Sequence, residues 1–271
     1  MLNALKRLSD PLGPPPVPAF VIIGAQKAGT SALFKMLAQH PQVLAPAVKE
    51  LHFFDNDANY AKGFAHYRAQ FPPAPRGGGK VTFEATPAYL FVERAAERLH
   101  EHLPEARLVA VLRDPVKRAY SAWNMFRDFA NDPVHGHLHD GRSFAQAVED
   151  ELSGRDVPWE HRYLARGHYA VQLRRYVDLF GRDRVLVLPY RLLRDDAQRA
   201  LDLVCVHAGL RPHAFDATTL RTRENVRDYP EPLDPALAER LYAHFSPHAA
   251  ALQQLLGPGW ELDERNPAPH A

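Results

Sequence analysis

Short uninterrupted apolar runs, each followed by a segment with helical periodicity, constrain the fold of this chain more than any other feature. They occupy residues 20–23, 108–112 and 185–188, and residues 81–83 form a weaker fourth candidate. Runs of this length without polar alternation are typical of strands that are buried on both faces. Strands that alternate with helices predict an α/β fold, with a central parallel sheet flanked by helices.

The helical segments are predicted at residues 32–39, 116–129, 169–180, 197–207 and 235–256. Gly181 and Gly257 follow two of these segments, as expected of residues that end a helix. Residues 56–79 and 130–160 are rich in Gly, Pro, His and Asp. We predict that these two segments form long surface loops.

The length of the chain favours one domain. At 271 residues and roughly 150 residues per domain, a single domain is expected, which we place at residues 19–262. The proline-rich residues 1–18 are predicted to form a loosely ordered tail, and residues 263–271 a second, shorter one.

Charge and cysteine content exclude several classes of function. The 33 basic residues nearly balance the 32 acidic ones, so a broad basic surface for nucleic acid is not expected. Cys205 is the only cysteine, which excludes an internal disulfide and a cysteine-based zinc site. No apolar stretch reaches the roughly 20 residues that span a bilayer, and no signal-peptide core follows the N terminus. We therefore expect a cytoplasmic protein without a transmembrane segment.

The loop after the first apolar run has the features of an anion site. Residues 24–31 read Gly-Ala-Gln-Lys-Ala-Gly-Thr-Ser and enter the first helix, whose N–H groups and dipole favour a bound anion. Lys27 adds a positive charge, and Thr30 and Ser31 add hydroxyl donors. The loop is not a standard nucleoside-triphosphate loop, because Thr30 stands where that motif has lysine. A phosphate site is predicted, and the alternative is a plain turn with a surface lysine.

A second motif follows the strand predicted at residues 108–112. Residues 113–123 read Arg-Asp-Pro-Val-Lys-Arg-Ala-Tyr-Ser-Ala-Trp. Because ligands bind beyond the carboxyl ends of parallel strands, Arg113 should face the same crevice as the first loop. Arg118 and Ser121 are three residues apart on one helix face, so together they suit a second phosphate group. The alternative is a surface Arg-Asp pair that caps a helix.

Residues 24–31 and 113–121 together resemble the paired cofactor motifs of sulfotransferases that use 3′-phosphoadenosine-5′-phosphosulfate (PAPS). Three further stretches narrow the resemblance to the heparan-sulfate type. They are Lys-Glu-Leu-His-Phe-Phe-Asp at 49–55, Glu-Ala-Thr-Pro-Ala-Tyr at 84–89, and Arg-Gly-His-Tyr-Ala at 166–170.

This resemblance, which covers residues 20–260, implies a P-loop-kinase-like three-layer fold. It also implies PAPS as co-substrate, 3′-phosphoadenosine-5′-phosphate (PAP) as product, a saccharide, glycolipid or small-molecule acceptor, and no metal. The first motif would hold the 5′-phosphosulfate, with Lys27 stabilising the leaving phosphate, and the second the 3′-phosphate. The implied cofactor-binding residues are Gly24, Lys27, Ala28, Gly29, Thr30, Ser31, Arg113, Ser121, Arg221 and Arg223. For the last two arginines, a solvated basic turn is an equal alternative.

The acceptor must lose a proton during transfer, so a general base is required. The resemblance assigns this role to Glu50, whose alternative is an ion pair with Lys49. His52 lies two residues further along a predicted extended segment and should point to the same side. It is therefore a second catalytic candidate, either orienting the acceptor or acting as the base itself. The remaining candidates for acceptor contacts are Lys49, Glu84, Tyr89 and Trp159.

One position departs from the heparan-sulfate type, whose members commonly have lysine directly after the glutamate of the third motif. Here that position is Ala85. Lys49, Lys80 or Arg166 could supply the missing positive charge. The departure, together with the near-zero net charge, counts against a polyanionic acceptor.

A P-loop nucleotide kinase or NTPase that needs magnesium is the main alternative function. It is disfavoured by Thr30 and because Asp114, the acidic residue after a strand, is flanked by Arg113 and Pro115. The alternating histidines at 135, 137 and 139 do not have a convincing ligand spacing, so no metal site is predicted. Neither the identity of the acceptor nor the oligomeric state follows from the sequence.

Overall fold

The computed structural model describes residues 16–74, 79–225, 229, 231–257 and 260–262. Most of the predicted N-terminal tail and all of the tail at 263–271 lie outside the described residues. The proposed domain limits at 19 and 262 stay a prediction. The strand that opens the sheet begins at Pro18, one residue before the first of these limits.

Five parallel strands form one sheet in the order β2-β3-β1-β4-β5. The strands are β1 (Pro18–Gly24), β2 (Val43–Leu44), β3 (Val81–Ala85), β4 (Arg107–Leu112) and β5 (Val185–Pro189). Strands β1 and β4 are buried over almost their whole length, as expected where helices cover both faces. The predicted α/β fold with a central parallel sheet is confirmed. The four apolar runs are β1, β3, β4 and β5, whereas the two-residue β2 was not predicted.

At least one helix follows each of these strands in the described part of the chain. They are α1 (Thr30–Leu37), α2 (Asp57–Tyr60), α3 (Phe64–Arg68), α4 (Glu93–His102), α5 (Pro115–Arg127), α6 (Phe144–Leu152), α7 (Tyr169–Phe180), α8 (Tyr190–Asp195), α9 (Ala197–His207), α10 (Ala217–Leu220) and α11 (Pro235–Leu256). Short 3-10 helices lie at Asp128–Asn131, Gly136–Leu138, Trp159–His161, Ala165–Gly167 and Arg182–Arg184. Helices α7, α9 and α11 have the predicted bounds, and α1 and α5 differ from prediction by no more than two residues at either end. Among the described residues, no helix is long and apolar enough to cross a membrane.

The prediction of long loops is wrong in part. The segment 130–160 contains α6, which begins with a capping box: the Gln146 backbone N–H donates to Ser143 Oγ at 3.2 Å, and the Ser143 N–H donates to Gln146 Oε1 at 2.9 Å. The segment 56–79 contains α2 and α3. Helix α4 was not predicted either, although its buried residues Ala95 and Leu99 are four positions apart and lie on one face of the helix.

Two hydrophobic clusters hold these elements together. The larger surrounds the sheet, and its members include Phe20 and Phe83 on neighbouring strands, whose rings stack at 4.9 Å. The smaller packs α5 against α6 and α11 through residues such as Trp123, Phe144 and Leu241. Helix α5 is therefore held in place by contacts with both α6 and α11.

The strand order brings three connections together at the carboxyl edge of the sheet. Strand β1 lies between β3 and β4, and Ile22 pairs with both Ala85 and Val109. The segments that leave these three strands therefore begin side by side. In parallel sheets of this kind, ligands bind in the crevice where neighbouring connections leave in opposite directions.

Close approach at this edge requires Gly24. A Cβ atom at this position would lie 2.6 Å from Leu90 Cβ, and the Leu90 N–H donates to Ile23 O at 2.8 Å, so Leu90 has little freedom to move away. We expect Gly24→Ala to lower the free energy of unfolding by about 1–3 kcal/mol, the usual cost of overpacking. Gly136→Ala is the matched control, because its Cβ would meet its nearest neighbour at 3.6 Å. Urea titration measures both variants, and equal midpoints would contradict the expected clash.

Candidate active site

A cavity of about 1020 Å³ opens at the carboxyl edge of the sheet. Its walls include Gln26, Lys27, Gly29, Thr30, Ser31, Glu50, His52, Asp55, Arg113, Ser121, Met125, Trp159, Arg166, Tyr190 and Tyr229. A second cavity of about 720 Å³ shares Asp55, Asn56 and Trp159 with the first. Residues from both predicted anion motifs and both candidate bases therefore line the same cavity.

The loop at 24–31 turns sharply before it enters α1. Lys27 has a positive φ of 66°, and the N-cap residue Gly29 has a φ of 85°. Glycine suits this position for a second reason, because a Cβ atom would lie 2.9 Å from the Tyr190 ring. The first N–H groups of a helix have no partner within the helix, so those of α1 are available to an anion in the cavity. Lys27 Nζ lies 3.7 Å from Met125 Sδ, at the wall formed by α5.

Arg113 lines the same cavity next to the loop at 24–31. Its Nη1 donates to Lys27 O at 3.2 Å, and its guanidinium lies 5.2 Å from the centre of the Tyr190 ring. Its Nε is buried and has no hydrogen-bond partner among the described residues. Ser121, one of the cavity-lining residues of α5, is only 3% exposed. Arg113 and Ser121 thus present donors to the cavity.

Several residues of the predicted cofactor set do not line this cavity. Gly24 and Ala28 belong to the loop, but both residues are buried. The Ala28 N–H donates to Ala25 O at 3.2 Å. Arg221 and Arg223 are exposed, and Arg223 donates to backbone oxygens that include Arg194 O at 3.1 Å. The solvated alternative therefore describes these two arginines better.

The predicted pairing of Arg118 with Ser121 is wrong. Arg118 is fully buried, and its Nη2 donates to Tyr163 O instead of reaching the cavity. The spacing placed both residues on one half of α5. In the structure, Arg118 turns toward the backbone at Tyr163, whereas Ser121 lines the cavity.

The candidate bases form one charged cluster. Glu50 Oε1 is paired with Lys49 Nζ, and Glu50 Oε2 lies 3.6 Å from His52 Nε2. The other ring nitrogen of His52 lies 2.7 Å from Asp55 Oδ2. Asp55 is almost fully buried, with 3% of its side chain exposed. Both the ion pair with Lys49 and the contact between Glu50 and His52 are therefore present.

The backbone of this cluster is not the extended segment that was predicted. Glu50 and His52 have φ values of 65° and 48°, in the left-handed region. Hydrogen bonds hold this conformation: Glu50 N–H donates to Ala85 O at 3.1 Å, and Asn59 Nδ2 donates to His52 O at 3.0 Å. The two side chains meet because of these turns rather than because of strand alternation.

The cluster determines the protonation states of its members. Burial alone would raise the pKa of Glu50, but His52 and Lys49 outweigh it and lower the pKa to about 2. Burial alone would lower the pKa of His52, but contacts with Asp55 and Glu50 raise it to about 10. Near neutral pH, Glu50 is therefore an ionised carboxylate whose basicity is lowered by its two cationic neighbours, whereas His52 is an imidazolium without a free lone pair.

Glu84 and Tyr89 were predicted to contact the acceptor, but the structure places both in the protein interior. Both are fully buried and line neither of the two cavities described above, so direct contact with an acceptor is not supported. Glu84 accepts hydrogen bonds from Tyr67 at 2.5 Å, Tyr89 at 2.6 Å and Thr86 at 2.8 Å. Tyr89 Oη in turn accepts from the Phe53 N–H at 3.1 Å. These residues support the backbone that carries Glu50 and His52.

Arg166 is a buried arginine in the cavity wall. Ala85 is fully buried, and Lys80 is exposed and donates to Pro41 O. Arg166 is 4% exposed and lies between two rings, 4.4 Å from the centre of Phe91 and 4.9 Å from that of Trp159. Burial lowers the pKa of Arg166 to about 9, and its Nε has no hydrogen-bond partner among the described residues.

Sequence reasoning missed three functional candidates. Asp55 orients His52. The sequence could have indicated this contact, because Asp55 is a carboxylate three residues after the histidine in the motif at 49–55. Tyr190 covers Gly29 and Arg113, but it follows β5 far along the chain and had no local signal. Asn225 donates to Ser31 Oγ at 3.4 Å, from the segment where only Arg221 and Arg223 had been considered.

Asp114, the carboxylate that a magnesium-dependent enzyme would need after β4, has a structural role. It is buried and caps α5 by accepting a hydrogen bond from the Lys117 N–H at 2.9 Å. Of the alternating histidines, His135 and His137 line the cavity, while His139 does not. His135 stacks on Phe129 with ring centres 5.0 Å apart.

Known proteins resemble this chain in sequence and in structure. The sulfotransferase domain family matches residues 18–231. The mouse bifunctional heparan sulfate N-deacetylase/N-sulfotransferase 4 is 28% identical over 270 residues, which cover 89% of this chain and 30% of the relative. The mouse heparan sulfate glucosamine 3-O-sulfotransferase 5 is 42% identical over 106 residues, which cover 39% of this chain and 30% of that protein.

A crystal structure of a sulfotransferase from Alicyclobacillus acidocaldarius is 28% identical, with a TM-score of 0.70, and covers 89% of this chain and 96% of that one. The chain spans about 30% of the length of the curated relatives described above. The family match includes all five described strands and all of the residues that line the larger cavity. This chain therefore belongs to the sulfotransferase family, with the P-loop-kinase-like α/β fold of that family.

Proposed function

We propose that this protein transfers a sulfuryl group from PAPS to a hydroxyl or amine of a saccharide, glycolipid or small-molecule acceptor. One observation carries the proposal: the loop with Lys27, the donors of Arg113 and Ser121, and the carboxylate of Glu50 all line a single cavity. Transfer of this kind needs two anion sites, a cation at the leaving group and a base, and these residues can supply each of them.

The donor site suits a molecule with two separated anionic ends. Lys27, Gly29, Thr30 and Ser31 would bind the 5′-phosphosulfate at the start of α1. Arg113, with its unpartnered Nε, and Ser121 would bind the 3′-phosphate. A nucleotide without a 3′-phosphate would leave the second group of donors without an anion.

In the proposed reaction, the acceptor oxygen or nitrogen attacks sulfur as the bond from sulfur to the phosphate oxygen breaks. Glu50 takes the acceptor proton, and the electrons of the broken bond remain on the phosphate of PAP. Lys27 and the N–H groups of the loop stabilise the charge that develops there. The protein otherwise acts by positioning its two substrates.

The structure of the base cluster favours Glu50 over His52 for proton transfer. An imidazolium cannot accept a proton, and the pKa of about 10 keeps His52 charged near neutral pH. His52, oriented by Asp55, can instead hold the Glu50 carboxylate and the acceptor in place. Entry of an acceptor that displaces Lys49 from Glu50 would raise the basicity of the carboxylate where it is needed.

Acceptor binding is assigned to the side of the cavity formed by Trp159 and Arg166. Trp159 is 43% exposed and lines both cavities, so its ring is available to a flat or cyclic acceptor. Arg166 supplies a positive charge on this side, where the heparan-sulfate type commonly has lysine in the position of Ala85. We propose Arg166 as the substitute for that lysine.

Binding of PAP tests the donor site. We expect Arg113→Ala to weaken PAP binding by about 1.5–3 kcal/mol, because a charge-assisted hydrogen bond is lost. Arg223→Ala is the matched control, since this arginine is exposed and does not line the cavity. Calorimetry without metal measures both variants. If PAP binding is weakened in Arg223→Ala but unchanged in Arg113→Ala, the 3′-phosphate site is not at Arg113.

A thermal melting experiment distinguishes a sulfotransferase from a kinase. PAP should raise the melting temperature of the unmodified protein without magnesium, by mass action. ATP with magnesium should raise it much less, because it has no group for Arg113 and Ser121. Equal stabilisation by the two ligands would favour the magnesium-dependent alternative.

Replacement of Glu50 tests the base. We expect Glu50→Gln to lower kcat by about 10²–10⁴-fold, the usual contribution of a general base, with PAP affinity close to that of the unmodified protein. His52→Asn should cost less and should act mainly on the KM of the acceptor. The assay follows radioactive sulfate from PAPS to an acceptor first identified by label transfer in a cell extract. Retained turnover in Glu50→Gln and its loss in His52→Asn would assign the base to His52.

The pH dependence provides an independent measure. Glu50 accepts a proton only when it is ionised, and its pKa of about 2 keeps it ionised throughout the range of pH 5–8. We therefore expect kcat/KM to be nearly constant over that range. Lys49→Met removes a charge that lowers the pKa of Glu50, so the acidic limb of the profile should move to higher pH. A rise in kcat/KM with a midpoint at pH 6–7 would contradict this assignment and indicate an ordinary histidine base.

A further inference from the structure

Three histidine side chains meet outside the active-site cavity, between the start of α7 and the middle of α11. They are His168, His244 and His248, and one ring nitrogen of each lies within 4.8 Å of the corresponding atoms of the other two. His168 Nε2 and His244 Nε2 are 3.3 Å apart. Within the described part of the chain, this is the one group of three potential ligand side chains that satisfies this distance limit.

The fold brings these residues together through two features. His244 and His248 are four residues apart on α11, so they share one face of the helix. Gly167 precedes His168 and permits close contact with α11, because a Cβ atom there would lie 2.7 Å from Phe245 Cε1. The chain that enters α7 therefore contacts the helix surface directly, and His168 is placed against both α11 histidines.

The geometry matches the requirements of a borderline transition metal. Two imidazole nitrogens bound to one tetrahedral zinc ion, each at about 2.0–2.1 Å, lie about 3.3–3.4 Å from one another. His168 and His244 already have this separation. His248 stacks on His168 with ring centres 3.8 Å apart, so its ring must turn out of the stack to become the third ligand.

The three histidines have access to a further ligand. His168 lines the second cavity, so a bound ion would be accessible to a water molecule or a small ligand as its fourth partner.

We propose that His168, His244 and His248 bind one zinc ion, or a similar divalent transition metal, between α7 and α11. The ion joins the C-terminal helix to the segment at 159–168, which carries Trp159 and Arg166 of the cavity wall. Its effect is therefore to stiffen that wall. The site is separate from the proposed base and donor residues, and it does not depend on the activity proposed above.

The experiment uses the full chain without a polyhistidine tag, treated with chelator and then titrated with zinc. Elemental analysis after gel filtration should find about one zinc ion per chain, and cobalt in place of zinc should give the visible absorption of a four-coordinate site. Zinc should also raise the melting temperature. The double variant His244→Ala/His248→Ala should bind zinc at least about tenfold more weakly, since even loss of an outer-shell partner costs that much.

His66→Ala/His139→Ala is the matched control, because both histidines are exposed and neither lines a described cavity. This variant should bind zinc as tightly as the unmodified protein. His248→Ala alone keeps the closer pair and should retain weaker binding without the cobalt spectrum of the complete site. Equal zinc affinity in the double variant and the control would overturn the proposal. So would absence of stoichiometric zinc from the unmodified protein, which would leave a hydrogen-bonded histidine cluster only.

Discussion

A carboxylic acid in the interior of the protein supports the geometry of the cluster formed by Glu50, His52 and Asp55. Glu84 is fully buried, and burial raises its pKa. An uncompensated buried carboxylate is costly, so the hydroxyl donors of Tyr67, Thr86 and Tyr89 are effectively obligatory. Because Tyr89 also accepts the Phe53 N–H, satisfying Glu84 positions the chain that carries the proposed base. Glu84, which lines neither of the two described cavities, thus supports the position of Glu50 through Tyr89.

The cavity combines two kinds of electrostatic environment. Toward α1, Lys27 and Arg113 make the wall positive, as the proposed anionic co-substrate requires. Around Glu50 the wall carries charges of both signs, and His52 and Lys49 keep Glu50 ionised. This division fits sulfuryl transfer, in which negative charge accumulates on the leaving phosphate while a proton moves the opposite way, from the acceptor to the carboxylate.

Local signals in the sequence accounted for four of the five described strands and for five of the eleven described α-helices. The runs that became β1 and β4 are apolar throughout because both faces of the sheet are covered, and helices α7, α9 and α11 have clear periodicity and end signals. Helix α6 could also have been predicted, since Ser143 and Gln146 form a recognisable capping box. Strand β2, with two residues, has too little pattern to detect, and it forms because β3 offers a free edge.

The sequence by itself determined the α/β class, the anion loop at 24–31 and the family to which the chain belongs, because each depends on residues that are near one another in the chain. The tertiary structure decided which side chains share the cavity. Arg118 turned inward and donates to Tyr163 O, and Arg221 and Arg223 remained outside. Tyr190 joined Arg113, and His168 met α11, through packing between elements far apart in sequence. Contacts of this kind depend on how helices pack on the sheet, which no short motif encodes.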